Sequence, residues 1–596
     1  MIYPGQAILR VDLSNDRIEE EELPDSIVEK FVGGKGLATY LMYKEVKPGI
    51  DPFSPENKLY VFGGPLAFIY PTFTRTVVVS KSPLTGLYCD SNAGGSFSVE
   101  LRRAGYVGVV LEGRSDKMKC LKITKEEKRL VDCESLRGKT TYEVGEVFRD
   151  YSVLTIGPAG ENLVRFANVC IDVRKNPMTR PGVAGRGGLG AVMGSKNLKA
   201  IVLKGWLRLD ELAKGIDKDV QKDLTSRYLK ILQEDVVPGI GVGGNLPVFR
   251  VAAEAKILPV KNFQAGSHER WEELADDAWG RVTVKRISCP TCPLRCGTTV
   301  VENDSLTERI EYETVAMNGS NLMIVSRKAL AQINTTLNAL GMDTITTGNI
   351  AAFLMELTER GLLRDYRISW GDLESYMRLV YDIAYRRGIG NLLAEGLARA
   401  SKELNAEEYA VHIKRLEIPA YDPRGVVGMA LAYATADRGG DHLRAWTVAA
   451  ELTSKLTLED LVNLTKYLQD RNAALWSLVA CDNIPGNSVK PPDEMIRIYI
   501  RMLNTLGFSY DESFLKLGER IYNLSRLFNV REGVRRKDDS LPPRFHKPRE
   551  DTGWVITKED FEKMLDMYYS KRGWDSEGVP LKETLDRVGL RDLIQT

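Results

Sequence analysis

Over the first two hundred residues, short runs of β-branched and aromatic residues alternate with Gly/Pro punctuation: AILRVDLS, KLYVFGG, TRTVVVS, YVGVVLEG, CLKIT, YSVLTIG, RFANVCIDV and KAIVLKG. Such runs predict strands, because branched side chains pack on a pleated surface and glycine or proline ends each segment. Two short helices interrupt them, one near Ile27–Val32 and one around Phe97–Ala104. After Trp206 the period changes. LDELAKGIDKDVQKDLTSRYLKILQ repeats its apolar positions at helical spacing, and helical patterns prevail from there on. The predicted fold class is α+β: a β-rich N-terminal base domain over 1–210 and two mainly α-helical domains over 211–415 and 416–596. The second boundary falls where VHIKRLEIPAYDPRG sets a strand-like piece and a Pro/Gly-rich loop between helical regions. No internal repeat or low-complexity segment stands out, and the basic run RRKDDSLPPRFHKPRE (535–550) is expected to be a solvated loop.

Charge and composition narrow the function classes. In 596 residues, 82 Lys+Arg face 81 Asp+Glu, a net charge of +1, which gives no field for nucleic acid or an anionic membrane. A hydrophobic share of 43% with 27% charged residues suits a folded protein rather than a disordered one. No apolar run approaches the roughly 18 residues of a membrane span. The opening MIYPGQAILRVDLSNDRIEEEE lacks a basic segment followed by an apolar one, so the expectation is a mature N-terminus and a cytoplasmic location. Four histidines, His268, His412, His442 and His546, lie at least thirty positions apart, which excludes HExxH-type metal sites.

Eight cysteines in a chain of this length do not make a disulfide framework. Cys89, Cys120, Cys133 and Cys170 fall singly in or beside strand patterns and are expected to be ordinary buried residues. Cys289, Cys292 and Cys296 are different. They form C-x2-C-x3-C within SCPTCPLRCG, where a short, proline-stiffened loop lets three sulfurs converge, and Cys481 is the downstream candidate for a fourth. Four thiolates suit a [4Fe–4S] cluster or a structural zinc. A zinc ribbon would bring a second C-x2-C, and none is present, so the cluster reading leads and implies single-electron transfer.

Three glycine-dense stretches, Gly33–Gly36, Asn92–Gly95 and Arg180–Ala200, offer bare backbone to phosphate oxygens, with Arg180, Arg186, Lys196 and Lys199 as cationic partners. The alternative is that they are tight turns only. Gly185-x-Gly187-x-x-Gly190 matches the dinucleotide fingerprint in form. It follows no predicted strand directly and leaves no room for a crossover helix before KAIVLKG, so nicotinamide binding is not expected.

Taken in order, FVGGKGLATYL (31–41), TRTVVVSKSPLTGLYCDSNAGGSF (74–97), RPGVAGRGGLGAVMGSKNLKAI (180–201), CPTCPLRC (289–296), EYET (311–314), IPAYDPRG (418–425) and DRGGDHLR (437–444) resemble the aldehyde:ferredoxin oxidoreductase family over nearly the whole chain. The resemblance implies a β-rich base under two helical domains, a tungsten (or molybdenum) bis-pterin, a [4Fe–4S] cluster and a magnesium ion. It implies Arg75 between pterin and cluster, and backbone carbonyls of Asn92 and Ala184 toward magnesium. Gly94, Gly95, Val183, Gly185 and Arg186 would line the pterins, and Cys289, Cys292, Cys296 and Cys481 would hold the cluster. Asn338, Met342, Asp343, Arg438, Leu443, Arg444 and Asp482 are further cofactor-contacting candidates. Two pterin motifs depart from the family: Asn338-Ala-Leu-Gly-Met-Asp343 has Asn and Met where Asp and Leu are usual, and Trp476 replaces an acid before Cys481. No histidine stands where some members bind an interfacial iron.

The activity so implied is oxidation of a small aldehyde to a carboxylic acid with water as oxygen source, electrons passing to ferredoxin or a dedicated iron–sulfur electron-transfer subunit, in a homodimer or heterodimer. Such chemistry needs a base and an oxyanion donor. Glu313 is the candidate base, and His442 and Tyr421 are the candidate donors. His268, His412 and His546 are expected to be structural. A class II aryl-CoA reductase-like subunit and a zinc-stapled, non-redox binding protein are the competing readings.

Overall fold

The structure, a computed structural model, describes residues 7–174, 180–236, 244–302, 305–308, 310–363, 365–481, 493–510 and 513–594. Its first part holds twelve strands: β1 (Ala7–Asp12), β2 (Arg17–Glu22), β3 (Leu59–Phe62), β4 (Thr76–Lys81), β5 (Tyr88–Ala93), β6 (Tyr106–Glu112), β7 (Lys119–Ile123), β8 (Lys128–Asp132), β9 (Ser152–Thr155), β10 (Val169–Ile171), β11 (Gly182–Ala184) and β12 (Leu198–Leu203). All eight predicted strand segments are strands, and the two early helices stand at Asp25–Phe31 and Phe97–Arg103. The strands form two six-stranded sheets, ordered β2-β1-β6-β3-β4-β5 and β11-β10-β9-β12-β7-β8.

Alternation along each strand decides what faces what. Val78, Val61 and Val109 of the first sheet meet Leu154, Ile171 and Ile201 of the second in one core, so the sheets pack face to face. Val77 and Val79 point the other way, into a layer shared with helices Gly34–Glu45, Leu458–Ser477 and Phe514–Arg531. The second sheet's far face, Cys120, Val153, Ala200 and Val202, closes on Val144 of a short helix. The rest of the chain is mainly helical, around a large core that Leu84, Val164, Phe166 and Ala191 of the first part join. The fold is therefore α+β, sheets first and helices after.

Several sequence expectations need correction. Strands β2 and β8 carry polar, partly exposed residues, and edge strands of that kind show no apolar alternation. Beyond residue 210 the chain is not uniformly helical: β13 (Thr283–Ile287), β14 (Gly297–Glu302) and β15 (Ser305–Glu308) form a three-stranded sheet. Ile287 sits opposite Gly297, so loop 288–296, with its cysteines, closes a hairpin. The third glycine stretch does follow a strand directly, β11, and helix Leu189–Ser195 fits before β12. It is still no dinucleotide fold, because β11, β10, β9 and β12 pair antiparallel in succession, whereas a crossover unit needs parallel strands.

Cys120 and Cys133 form a disulfide with a Cα–Cα distance of 5.7 Å, stapling the β7–β8 hairpin. Hairpin register, which no cysteine motif announces, brings them together. In the basic run 535–550, Leu541, Phe545 and Arg549 are buried, so it is a packed segment rather than a solvated loop. Among the described residues, no helix is long and apolar enough to cross a membrane.

Candidate active site

Between the ends of the sheets and the helical half lies a cavity of about 240 Å³. One wall comes from the sheets: Arg75 ahead of β4, Asn92 and Gly94 at the end of β5, and Val183, Gly185 and Arg186 at β11. The opposite wall comes from the second half of the chain, with Glu313 and Asn338 on helices and Met342, Asp343, Tyr421, Arg438, His442 and Leu443 on the segments between helices. Residues from six separate sequence motifs thus share one cavity.

Glu313 lies in the first turn of helix Tyr312–Asn318. Its Oε2 accepts from the Ala420 N–H at 3.0 Å, and its Oε1 stands 3.6 Å from His442 Nε2. Burial pushes its carboxyl up to about 8, against the opposing Ala420 N–H and Arg186 charge. The loop that supplies Ala420 and Tyr421 is held from behind. Asn349 Nδ2 donates to Ile418 O at 3.0 Å, Tyr312 Oη donates to Ala420 O, and Tyr433 Oη donates to Tyr421 O at 3.1 Å. Tyr421 consequently presents its ring 5.8 Å from that of His442.

His442 follows Asp441, which burial would raise but which Arg438 and Arg444 hold far below the usual carboxylate range. Arg438 Nε donates to Asp441 at 2.8 Å and its Nη1 to Asp90 O at 2.6 Å. Arg186 ties three segments, donating to Asp343 Oδ2 at 3.2 Å, Gly440 O at 3.0 Å and Glu417 O. Asp343 also caps helix Thr344–Glu359 through Ile345 N.

Arg75 Nη2 donates to Cys481 Sγ at 3.3 Å, and Gly95 N donates to Cys289 Sγ at 3.4 Å. Arg180, a cavity residue, has Nη1 4.0 Å from Cys289 Sγ. Burial raises the Cys289 thiol, and the charges of Arg180 and Arg75 with the Gly95 N–H bring it below its ordinary value. Cys292 is raised, first by burial and then by Cys481, Cys289 and Cys296. The four cysteines are near enough to influence one another and stand off the cavity lining, with Arg75 and Arg180 of that lining reaching Cys481 and Cys289. Among the described residues, no three of His, Cys, Asp and Glu stand close enough to share a single ion.

Other candidates lie elsewhere. Gly95 and Ala184 do not line the cavity. Arg444 does not either, since it belongs to a buried ring of alternating charge. Lys35 Nζ reaches Asp90 at 2.8 Å and Asp437 at 2.7 Å, while Arg444 pairs with Asp90 and, at 2.7 Å, with Asp437. Trp476 stacks against both cations. Gly34 is there for close packing: a Cβ on it would stand 2.2 Å from Trp476 O, and its φ is +38°. Lys196 binds the carbonyls of Pro55 and Gly113, and Lys199 pairs with Glu161, so neither serves the cavity. Asp482 lies outside the described residues. His268 meets Ser320, His546 meets the Ile556 carbonyl, and His412 titrates at about 4 through burial; none lines the cavity. Sequence reasoning missed Asn168, Asn245 and Asn334 as lining residues, which sit in no motif. Tyr312 was within reach as the neighbour of Glu313.

The cavity walls suit a large polar group. Asn92 Oδ1, Arg180 Nε and Glu313 Oε1 are buried without a hydrogen-bond partner among the described residues, and beside Gly185 a Cβ would meet only Val183, at 3.9 Å.

Residues 8–205 match the family model "Aldehyde ferredoxin oxidoreductase, N-terminal domain", and residues 224–590 match "Aldehyde ferredoxin oxidoreductase, domains 2 & 3". The chain belongs to the aldehyde ferredoxin oxidoreductase family. It is 36% identical to the tungsten-containing aldehyde ferredoxin oxidoreductase of Pyrococcus furiosus, over 98% of either chain. It is also 30% identical to the aliphatic sulfonate oxidoreductase, WOR-like subunit, of the same organism, over 99% of this chain and 97% of the other. Among solved structures, the active site complex BamBC of benzoyl coenzyme A reductase aligns with a TM-score of 0.84 over 99% of this chain and 98% of that one. At 24% identity this last likeness concerns the fold. For a member of the aldehyde ferredoxin oxidoreductase family, the sheet-built wall and the cysteine hairpin are the parts that the two domain models span together.

Proposed function

We propose that this chain oxidises small aldehydes to carboxylic acids, taking oxygen from water and delivering electrons to ferredoxin or a dedicated iron–sulfur subunit. The observation that carries the reading is the approach of His442 to Glu313 at 3.6 Å in a cavity whose other wall leads through Arg75 to Cys481. Relatives named for tungsten support a tungsten bis-pterin as the resident group. Asn92, Gly94, Val183, Gly185 and Arg186 would hold it from the sheets, with Asn338, Met342, Asp343, Arg438 and Leu443 from the helices. Asn92 and Ala184 would offer carbonyls to magnesium, and Cys289, Cys292, Cys296 and Cys481 would hold a [4Fe–4S] cluster. When bound, these groups accept the electron pair and release electrons singly.

The chain's own residues handle the proton and the oxygen. With its carboxyl raised to about 8, Glu313 takes a proton from water or substrate in its ionised fraction, which grows as pH rises toward 8. His442 Nε2 and the Tyr421 hydroxyl act as donors to the developing oxyanion. The close-packed loop 418–422 fixes the backbone that carries Tyr421. The β-rich base over 1–210 and the helical domains over 211–415 and 416–596 supply the two sides.

The test is anaerobic metal analysis of the purified chain combined with aldehyde-dependent viologen reduction. Tungsten or molybdenum with iron, and turnover of small aldehydes, is the expected result. Zinc alone, or reduction of an aryl thioester without aldehyde turnover, would overturn the proposal.

A further inference from the structure

Asp343 lines the cavity and is backed by two side chains that do not, Thr346 and Glu417. All three are buried, the last two completely. Thr346 lies in the first turn of helix Thr344–Glu359, and its Oγ1 stands 2.8 Å from Asp343 Oδ2 and 2.7 Å from Glu417 Oε2. A hydroxyl has one hydrogen to give. It can donate to only one of these oxygens at full strength, and at such a distance the other contact would press lone pair against lone pair unless that carboxyl brings a hydrogen of its own. One of the two acids therefore holds a proton.

Their surroundings decide which. Asp343 meets a cation, since Arg186 Nε donates to its Oδ2 at 3.2 Å, and the Ile345 N–H at the start of the helix donates to its Oδ1 at 2.9 Å. The Glu417 carboxyl accepts from the Leu397 N–H at 3.0 Å. Arg186 reaches the main-chain carbonyl of Glu417 rather than its carboxyl, and Arg399 is turned to the carbonyls of Pro83, Leu84 and Glu395. His412, opposite Glu417 in a short strand pair, titrates at about 4 and adds no charge at neutral pH. Burial accordingly raises the Glu417 carboxyl, against its hydrogen bonds and the Arg186 charge.

We propose that Glu417 is a positioning residue: it keeps a proton, donates through it to Thr346 Oγ1, and so commits the Thr346 hydroxyl to Asp343, which remains an anion in one fixed orientation. Of about four lone-pair positions on an ionised carboxylate, Ile345, Arg186 and Thr346 take three. The one left, on Oδ1, accepts an N–H of the group held in the cavity. That last step rests on the proposed function, in which Asp343 holds a pterin; the proton on Glu417 does not.

The experiment is infrared difference spectroscopy of the holoenzyme against its Glu417→Gln variant at pH 9, where Glu313, titrating at about 8, is mostly ionised. The native protein should show the C=O stretch of a neutral carboxylic acid that the variant lacks. Glutamine donates from Nε2 and accepts on Oε1 as the protonated acid does, so the variant should keep native melting and native pterin per chain. Thr346→Val keeps the shape without the hydroxyl and should lower the pterin retained through gel filtration by about threefold or more, and Thr346→Ser should restore it. Absence of the band difference, loss of pterin from Glu417→Gln, or native pterin content in Thr346→Val overturns the proposal. The band in a native chain that carries no pterin would support the proton on Glu417 and overturn the functional reading alone.

Discussion

Replacing Glu313 by glutamine should stabilise the protein at neutral pH while removing its turnover. The carboxyl is buried and titrates at about 8 instead of 4.5, chiefly because burial disfavours its charge. At pH 7 the folded chain therefore keeps a proton that the unfolded chain has released. At about 1.4 kcal/mol per pH unit, holding that proton costs about 3 kcal/mol at pH 7. The sign follows from the raised value: the contribution to stability is whole below pH 4.5 and is lost progressively as pH rises toward 8. Glutamine has the same shape, stays neutral and can still accept from the Ala420 N–H, so it escapes this cost. Thermal unfolding of the native chain and the Glu313→Gln variant between pH 4.5 and 8 is the assay. The variant's advantage should grow from near zero at the acid end to about 3 kcal/mol at pH 7, while aldehyde-dependent viologen reduction falls by about 10²–10⁴-fold. A stability gap that does not change with pH, or a glutamine variant that turns over normally, would refute the assignment.

The other expectations follow from the same contacts. In the native enzyme, turnover should climb with pH and level off above about 8 as Glu313 ionises, and a profile flat from pH 6 to 9 would exclude it as the base. Cys481→Ser should lower the iron content measured on the anaerobically purified protein, and unchanged iron would remove this residue from the ligand set. Lys35→Met leaves Asp90 and Asp437 sharing the charge of Arg444, with Ser525 Oγ still donating to Asp437, and should destabilise by about 3–5 kcal/mol in denaturant unfolding, with adding Asp437→Asn recovering part of the loss. Cys120→Ser opens the β7–β8 staple, which spans 13 positions, and should lower stability by about 2–4 kcal/mol; equal melting of variant and native chain would argue against the bond.

Much of the site was legible in the chain because its elements are local. A C-x2-C-x3-C run, a glycine stretch and EYET each announce a chemistry through residue type and spacing alone; the cavity gathers the last two, and Arg180 of its wall reaches Cys289 of the first. What a residue's partner would be was less legible. Arg444 looked like a cavity residue, and it is instead locked into the ring with Lys35, Asp90 and Asp437. Lys196 and Lys199 looked like phosphate partners beside glycines, and both turn away to backbone carbonyls or Glu161. The run 535–550 looked solvated because charge dominates it, although Phe545 and Arg549 are buried.

The amino-acid sequence by itself determined the strands with apolar alternation, the switch to helices after Trp206, the thiol cluster and the family, since periodicity and motif spacing operate within a few turns of chain. Only the tertiary structure decided which charges are neutralised and which protons are held. Lys35 meets Asp437 from 402 positions away, and Glu313 meets Ala420 from 107. The free energy of a buried charge is set by whatever the fold places within a few ångströms of it and by the water it excludes, and neither is written in the neighbouring residues.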